Sequence, residues 1–166
     1  QLPVNKAGLV VGGGVAGMTC ALSMANQGFE VYLVEKEKDL GGIARRIHYT
    51  LEGMDVQAHL GDLIGKVYRH PSIHVSTDAV ITAVSGYVGN FVTKLRSEGM
   101  VKELRHGAAV IATGAEEYRP TEYLYGKDDR VLTLLELEEQ IAKQGEGMVN
   151  SRSVVMIQCV GCRQPD

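Results

Sequence analysis

Proline is scarce in this chain, four residues in 166 against twenty glycines. That imbalance excludes a proline-rich disordered segment and points to an α/β fold that depends on glycine turns. Cysteine is scarcer still. Three of them, an odd number with two close together, do not make a disulfide framework. No apolar run approaches the roughly 18 residues of a membrane span, and no signal peptide precedes the first strand. A reducing cytoplasm is the expected setting. Charge of neither sign gathers into blocks: 17 basic and 20 acidic residues are interspersed, for a net charge of −3. A nucleic-acid surface and a basic membrane-binding helix are therefore not expected. Internal repeats and low-complexity tracts are absent. The length suits one full domain with a real core and is short for two. The opening Gln1-Leu-Pro-Val-Asn-Lys6, with no initiator Met, reads as a processed end or an excised piece of a longer protein.

What is present begins at Leu9-Val-Val-Gly-Gly-Gly-Val-Ala-Gly17. Leu9, Val10 and Val11 read as a buried strand that breaks into Gly12-x-Gly14-x-x-Gly17 and passes into a helical pattern. Gly12 allows the tight strand-to-helix turn, Gly14 lets the backbone approach a pyrophosphate, and Gly17 lets helix and strand pack closely. The phosphates are expected on the unpaired N–H groups at the helix start, around Val15 and Ala16. Met18, Ala21, Leu22 and Ala25 give that helix one apolar face, and Gly28 stops it. Phe29 to Val34 reads as the second strand. Glu35 ends it, 18 residues past Gly17, near the spacing at which an acidic residue accepts hydrogen bonds from an adenosine ribose. Lys36 comes next. The alternative for Glu35 is a solvated charge in Glu35-Lys-Glu-Lys38.

Leu40-Gly-Gly42 offers a second backbone segment to the cofactor through Gly41 and Gly42, with Arg45 and Arg46 near its phosphates or flavin ring; surface arginines are the alternative. Asp55 to Arg69 carries Val56, Leu60, Leu63, Ile64 and Val67 at helical spacing, and His70-Pro71 ends the helix. Ile73–Ser76 is a short strand. Ala79–Ser85, Phe91–Arg96 and Met100–Arg105 form an antiparallel meander. Ala108–Gly114 reads as a buried strand ending in Ala112-Thr113-Gly114. Glu116 to Arg130 is a surface loop. Thr133-Leu-Leu-Glu136 is a capping box for a helix with Leu134, Leu137 and Ile141 on its apolar face. Gly145-Glu-Gly-Met is a linker, and Ser153–Gln158 a final strand running into Cys159-Val-Gly-Cys162.

The glycine fingerprint is common to FAD and NAD proteins, and Glu35 disfavours only a 2′-phosphorylated ribose. The Gly41-Gly42 pair, the meander and the Ala112-Thr113-Gly114 strand end, in that order, resemble the FAD domain of the glutathione reductase and thioredoxin reductase superfamily. That resemblance implies an α/β fold, a Rossmann-like parallel sheet with an antiparallel meander as crossover. It also implies adenine held by main-chain groups near Ile81, and Thr113-Gly114 on the other side of the cofactor. A closer resemblance is to the family of the heterodisulfide reductase A-type subunit. It rests on Leu9–Gly17, Glu35-Lys-Glu, Leu40-Gly-Gly-x-Ala-Arg-Arg46, His48-Tyr-Thr-Leu-Glu-Gly53 and Gly86-Tyr-Val-Gly-Asn-Phe91. Ala112-Thr-Gly-Ala-Glu-Glu-Tyr118, Pro120-Thr-Glu-Tyr-Leu-Tyr-Gly126 and Val154-Val-Met-Ile-Gln-Cys-Val-Gly161 add to it. It implies an iron–sulfur flavoprotein that passes electrons among a donor, FAD and Fe–S centres. Its partners are other heterodisulfide reductase subunits and a hydrogenase or dehydrogenase.

Departures from that family bound the expectation. No Cys-x-x-Cys-x-x-Cys run occurs, nor the late glycine-aspartate strand of the superfamily's FAD site, nor a Cys-x-x-x-x-Cys dithiol after Gly42. Residues 1–148 are thus expected to be an FAD-binding domain lacking that segment, and 149–166 the truncated start of a following domain. The fragment is expected to be catalytically incomplete. The resemblance makes Cys159 a [4Fe–4S] ligand in the full-length parent only; Cys162 stands where serine is expected, and unremarkable thiols are the alternative for both. Cys20 reads as a packed helix residue, and the five histidines as surface or packing residues. Two other functions stay open: an NAD(P)H-linked flavoprotein of the glutamate-synthase small-subunit type, and a non-catalytic dinucleotide-binding module.

Overall fold

A computed structural model describes residues 3–97, 99–144, 153–158 and 160–161. Four short strands form a parallel sheet: β1 (Gly8–Val11), β2 (Val31–Val34), β3 (Ile73–Ser76) and β7 (Ala108–Ile111), in the order β3-β2-β1-β7. Between β3 and β7 the chain makes an antiparallel meander of β4 (Ala79–Tyr87), β5 (Asn90–Ser97) and β6 (Met100–His106). Among the described residues the other elements are three α-helices, α1 (Val15–Asn26), α2 (Val56–Arg69) and α3 (Leu134–Gln144), and a short 3-10 helix at Gly42–Arg46.

Alternation of side chains along β1 and β2 divides the core in two. Val10, Val31 and Leu33 face α1 and α2, where Met18, Ala21, Ala25, Leu60, Leu63 and Val67 are buried against them. Leu9 and Val34 point to the opposite face and meet Ala79, Leu95 and Leu104 of the meander. The sheet is thus covered by helices on one side and by the meander on the other. Each fully buried Leu, Val or Met here contributes about 1.5–3 kcal/mol.

The sequence-based boundaries hold closely through β6. Asp55 caps α2 by accepting from the Ala58 N–H at 2.9 Å, and His70 ends it. Thr133 and Glu136 close the expected capping box at 2.8 and 3.3 Å. Three expectations need correction. Phe29 lies outside β2, because its N–H still caps the end of α1 on the Met24 carbonyl, and the ring is 39 % exposed. β7 is an edge strand among the described residues, not a buried one, with Ile111 71 % exposed. Ser153–Gln158 form no strand, and Val154–Ile157 stay exposed. On the apolar face of α3, Leu137 is half-buried while Leu134 and Ile141 are exposed. The linker at 145–148 lies outside the described residues, as do Cys159 and Cys162.

Candidate dinucleotide site

The sheet order reverses direction at β1, whose neighbours are β2 on one side and β7 on the other. Loops leaving the carboxyl ends of these strands diverge there and leave a crevice, the usual ligand position in open α/β sheets. The crevice has a volume of about 400 Å³ and is lined by Val11, Gly12, Glu35, Lys36, Ile81, Thr113, Gly114 and Glu116, among others. That size lies within the range of small-molecule sites.

The three glycines of the fingerprint have different surroundings. Gly12 has φ +109°, and a Cβ there would lie 2.2 Å from the Ala112 carbonyl oxygen. A Cβ on Gly17 would lie 1.8 Å from the Gly12 oxygen, so helix and turn touch backbone to backbone. Gly14 differs: a Cβ there would meet nothing within 4 Å. The protein does not need that space for its own packing. Gly14 is the N-cap of α1 with no side-chain cap, and no acidic residue stands in the first turn. The helix start thus carries no side-chain cap and no acidic residue of its own, and the positive end of its dipole suits an anion.

Glu35 is 7 % exposed. Its Oε2 accepts from the Gly13 N–H at 2.5 Å and its Oε1 from the Glu37 N–H at 2.8 Å. The carboxylate fixes the glycine loop and still borders the crevice. Gly41, at φ +122°, donates its N–H to the Gly13 carbonyl at 2.8 Å and bridges Gly14, which brings the second glycine segment onto the first. Gly42 sits against the Gly14 Cα. Lys36 Nζ lies 2.7 Å from Glu116 Oε1 across the mouth of the crevice. Donating a hydrogen bond to that carboxylate holds the Lys36 ammonium above its ordinary pKa, and the same bond holds Glu116 below the usual carboxylate range.

Both arginines are engaged by groups of this chain. Arg45 folds back to donate to the Leu40 carbonyl at 3.0 Å and stands 3.7 Å from Asp39. Arg46 pairs with Glu117 at 2.6 Å and with Glu139 of α3. Glu138 accepts from the His48 and Tyr49 N–H groups at 2.9 and 3.2 Å. Thus α3 clamps the segment after Gly42 and the loop after Gly114 together. The histidines behave as packing or surface residues; His106 is buried, hydrogen-bonded to Thr93 at 2.8 Å and to the Ala108 carbonyl at 3.0 Å. No cluster of His, Cys, Asp or Glu suited to a metal occurs among the described residues. Cys20 contacts Met24 within α1.

Sequence reasoning missed Gly13 and Glu116. Gly13 sits at a variable position of the fingerprint, and nothing local signals that its N–H meets Glu35. Glu116 lies 80 positions from Lys36, so only the fold reveals the pair.

A parallel sheet with a glycine-lined helix start at its switch point, crossed by a β-meander, defines an α/β domain of the Rossmann-like class. Solved structures agree on that fold. L-proline dehydrogenase from P. horikoshii superposes over 68 % of this chain and 23 % of its own, with a TM-score of 0.58 and 23 % identity. The thioredoxin reductase-type protein TrxB from Bacillus anthracis gives a TM-score of 0.53 and 16 % identity, over 69 % of this chain and 38 % of its own. Residues 7–157 match the family model described as pyridine nucleotide-disulphide oxidoreductase, and the chain belongs to that family. Among named relatives, the first of two CoB–CoM heterodisulfide reductase iron-sulfur A-type subunits of Methanopyrus kandleri is 28 % identical across 99 % of this chain and 38 % of its own length. The corresponding iron-sulfur subunit of Methanocaldococcus jannaschii is 38 % identical over 53 % of this chain and 14 % of its own. The chain therefore spans well under half of these relatives. The Methanopyrus alignment runs over 256 positions, more than the 166 residues present here, so that relative carries additional residues inside the matched region.

Among the described residues no helix is long and apolar enough to cross a membrane.

Proposed function

We propose that this chain is the FAD-binding part of an oxidoreductase resembling the A-type subunit of heterodisulfide reductase. The observation that carries the proposal is the space at Gly14: an uncapped helix start, unfilled by the protein, opens beside a crevice bordered by Glu35. In this reading the pyrophosphate lies on the N–H groups of Val15, Ala16 and Gly17, with Gly12 and Gly14 giving the backbone clearance. Glu35 accepts from the adenosine ribose and Lys36 stands at its rim. Main-chain groups of Ile81 hold adenine. Gly41, Gly42 and Arg45 on one side and Ala112, Thr113 and Gly114 on the other border the rest of the cofactor. Bound FAD supplies the capacity to exchange electrons one or two at a time, and the protein supplies orientation and electrostatics.

Residues 1–148 form the cofactor domain and 149–166 begin the next one. In a longer cytoplasmic protein Cys159 would be one ligand of a [4Fe–4S] centre, and such centres would supply acceptors for electrons from the flavin. Other heterodisulfide reductase subunits and a hydrogenase or dehydrogenase are the partners. This chain alone is incomplete for catalysis.

Titration with FAD, followed by visible absorbance and retention on gel filtration, tests the reading. The wild-type chain binds FAD. Gly14→Val loses it while staying folded, destabilised by only about 1 kcal/mol for a β-branched residue at the N-cap, since the new side chain otherwise enters free space. A wild-type chain that binds no FAD, or a Gly14→Val chain that keeps it all, refutes the assignment.

A further inference from the structure

The mouth of the crevice is closed by two residues that the glycine fingerprint does not account for. Lys36 is the one cationic side chain among the described residues that line the crevice, and Glu116 stands 2.7 Å from it. Glu35 lies beside Lys36, and Glu37 is 3.8 Å from its ammonium. A cation at the ribose end of a dinucleotide site is the group that accommodates a ribose 2′-phosphate. Here the ammonium is already paired, and it stands among three carboxylates.

We propose that Glu116 is a specificity-determining residue: by pairing Lys36 it withdraws the crevice's cation from a ribose 2′-phosphate and selects an unphosphorylated ribose. This rests on the dinucleotide reading of the crevice. Glu35 alone disfavours a 2′-phosphate by repulsion. Glu116 adds a second device, removal of the counter-charge that would offset that repulsion. It arrives from the loop after β7, so selectivity depends on the sheet edge opposite Glu35. Both groups of the pair are largely exposed, with side chains 61 and 86 % accessible, so the effect is modest and weakens with salt.

Competitive binding of ADP and of adenosine 2′,5′-bisphosphate to the chain, measured by calorimetry, tests this. In Glu116→Gln the ratio of the two affinities shifts toward the bisphosphate by about five-fold, the scale of one exposed ion pair made available. The shift shrinks at high salt. It disappears in the double variant Glu116→Gln/Lys36→Met, and Glu116→Asp keeps the wild-type preference. An unchanged ratio in Glu116→Gln, with both nucleotides still bound, overturns this inference and leaves the crevice assignment standing. So does a shift that persists without Lys36. Binding of neither nucleotide to the wild-type chain overturns both.

Discussion

Replacing Glu35 with Gln removes a charge without changing shape, and the surrounding hydrogen bonds set the cost. Each carboxylate oxygen accepts one backbone N–H, from Gly13 at 2.5 Å and from Glu37 at 2.8 Å. Glutamine has only one acceptor oxygen. Its amide NH₂ must then face one of those N–H groups, donor against donor, at a site that is 7 % exposed. Leaving a buried donor unsatisfied costs about 1–3 kcal/mol. A loss of about 1 kcal/mol lowers Tm by roughly 2–4 °C in a chain of this size. Urea denaturation of the ligand-free chain is the direct assay: the midpoint falls and the slope m stays constant. Glu37→Gln is the control, because that side chain is 69 % exposed and its loss falls within about 0.5 kcal/mol. Glu35→Ala loses both acceptors and a charge-assisted bond to ribose of about 1.5–3 kcal/mol, so FAD affinity drops by roughly one to two orders of magnitude. A Glu35→Gln chain with the wild-type midpoint refutes the claim that this carboxylate holds the glycine loop.

Gly17→Val, unlike Gly14→Val, fails to fold or unfolds at a much lower midpoint, since its Cβ would overlap the Gly12 oxygen; a stable variant would show that helix and turn do not touch. The α3 clamp is acid-sensitive. The Arg46 hydrogen bond holds Glu139 below the usual carboxylate pKa; for Glu117, burial pushes upward and is outweighed by hydrogen bonds with Thr133 and Arg46. Both groups thus contribute stability above an unfolded pKa of about 4.3 and lose it as pH falls through their lower folded values. Denaturation midpoints of wild type and Arg46→Met should converge below that pH and separate above it; parallel profiles would remove the clamp. Anaerobic reconstitution with iron and sulfide should give no stoichiometric cluster on this chain, because three cysteines fall short of four ligands, and full charge-transfer absorbance would contradict that.

Where a sequence signal was local, it was legible. The fingerprint from Gly12 to Gly17, the Asp55 cap, the Thr133–Glu136 box and the meander each depend on neighbours within a few positions, and all are found as expected. Burial was harder to read. Ala108–Ile111 has the apolar composition of a central strand, yet composition cannot tell a strand flanked on both sides from one at an edge. Leu134 and Ile141 make a proper helical stripe, but a stripe states only that a helix has an apolar side, not that anything covers it. The charged pairs were not legible at all. Lys36 with Glu116, and Arg46 with Glu117 and Glu139, join segments 71 to 93 positions apart, and a surface lysine or arginine carries no mark of its distant partner.

The hydrogen bonds at Gly13 have a kinetic consequence. Its N–H is held by Glu35 and its carbonyl by the Gly41 N–H, so the turn before α1 is anchored from two sides without any ligand. Conformational entropy of that loop is lost when the chain folds, not when something arrives. An incoming anion therefore meets a rigid surface and encounters no slow loop closure at this end of the site. Association should be limited by diffusion and charge, and changes to the glycine loop should register chiefly as shorter residence times rather than slower capture.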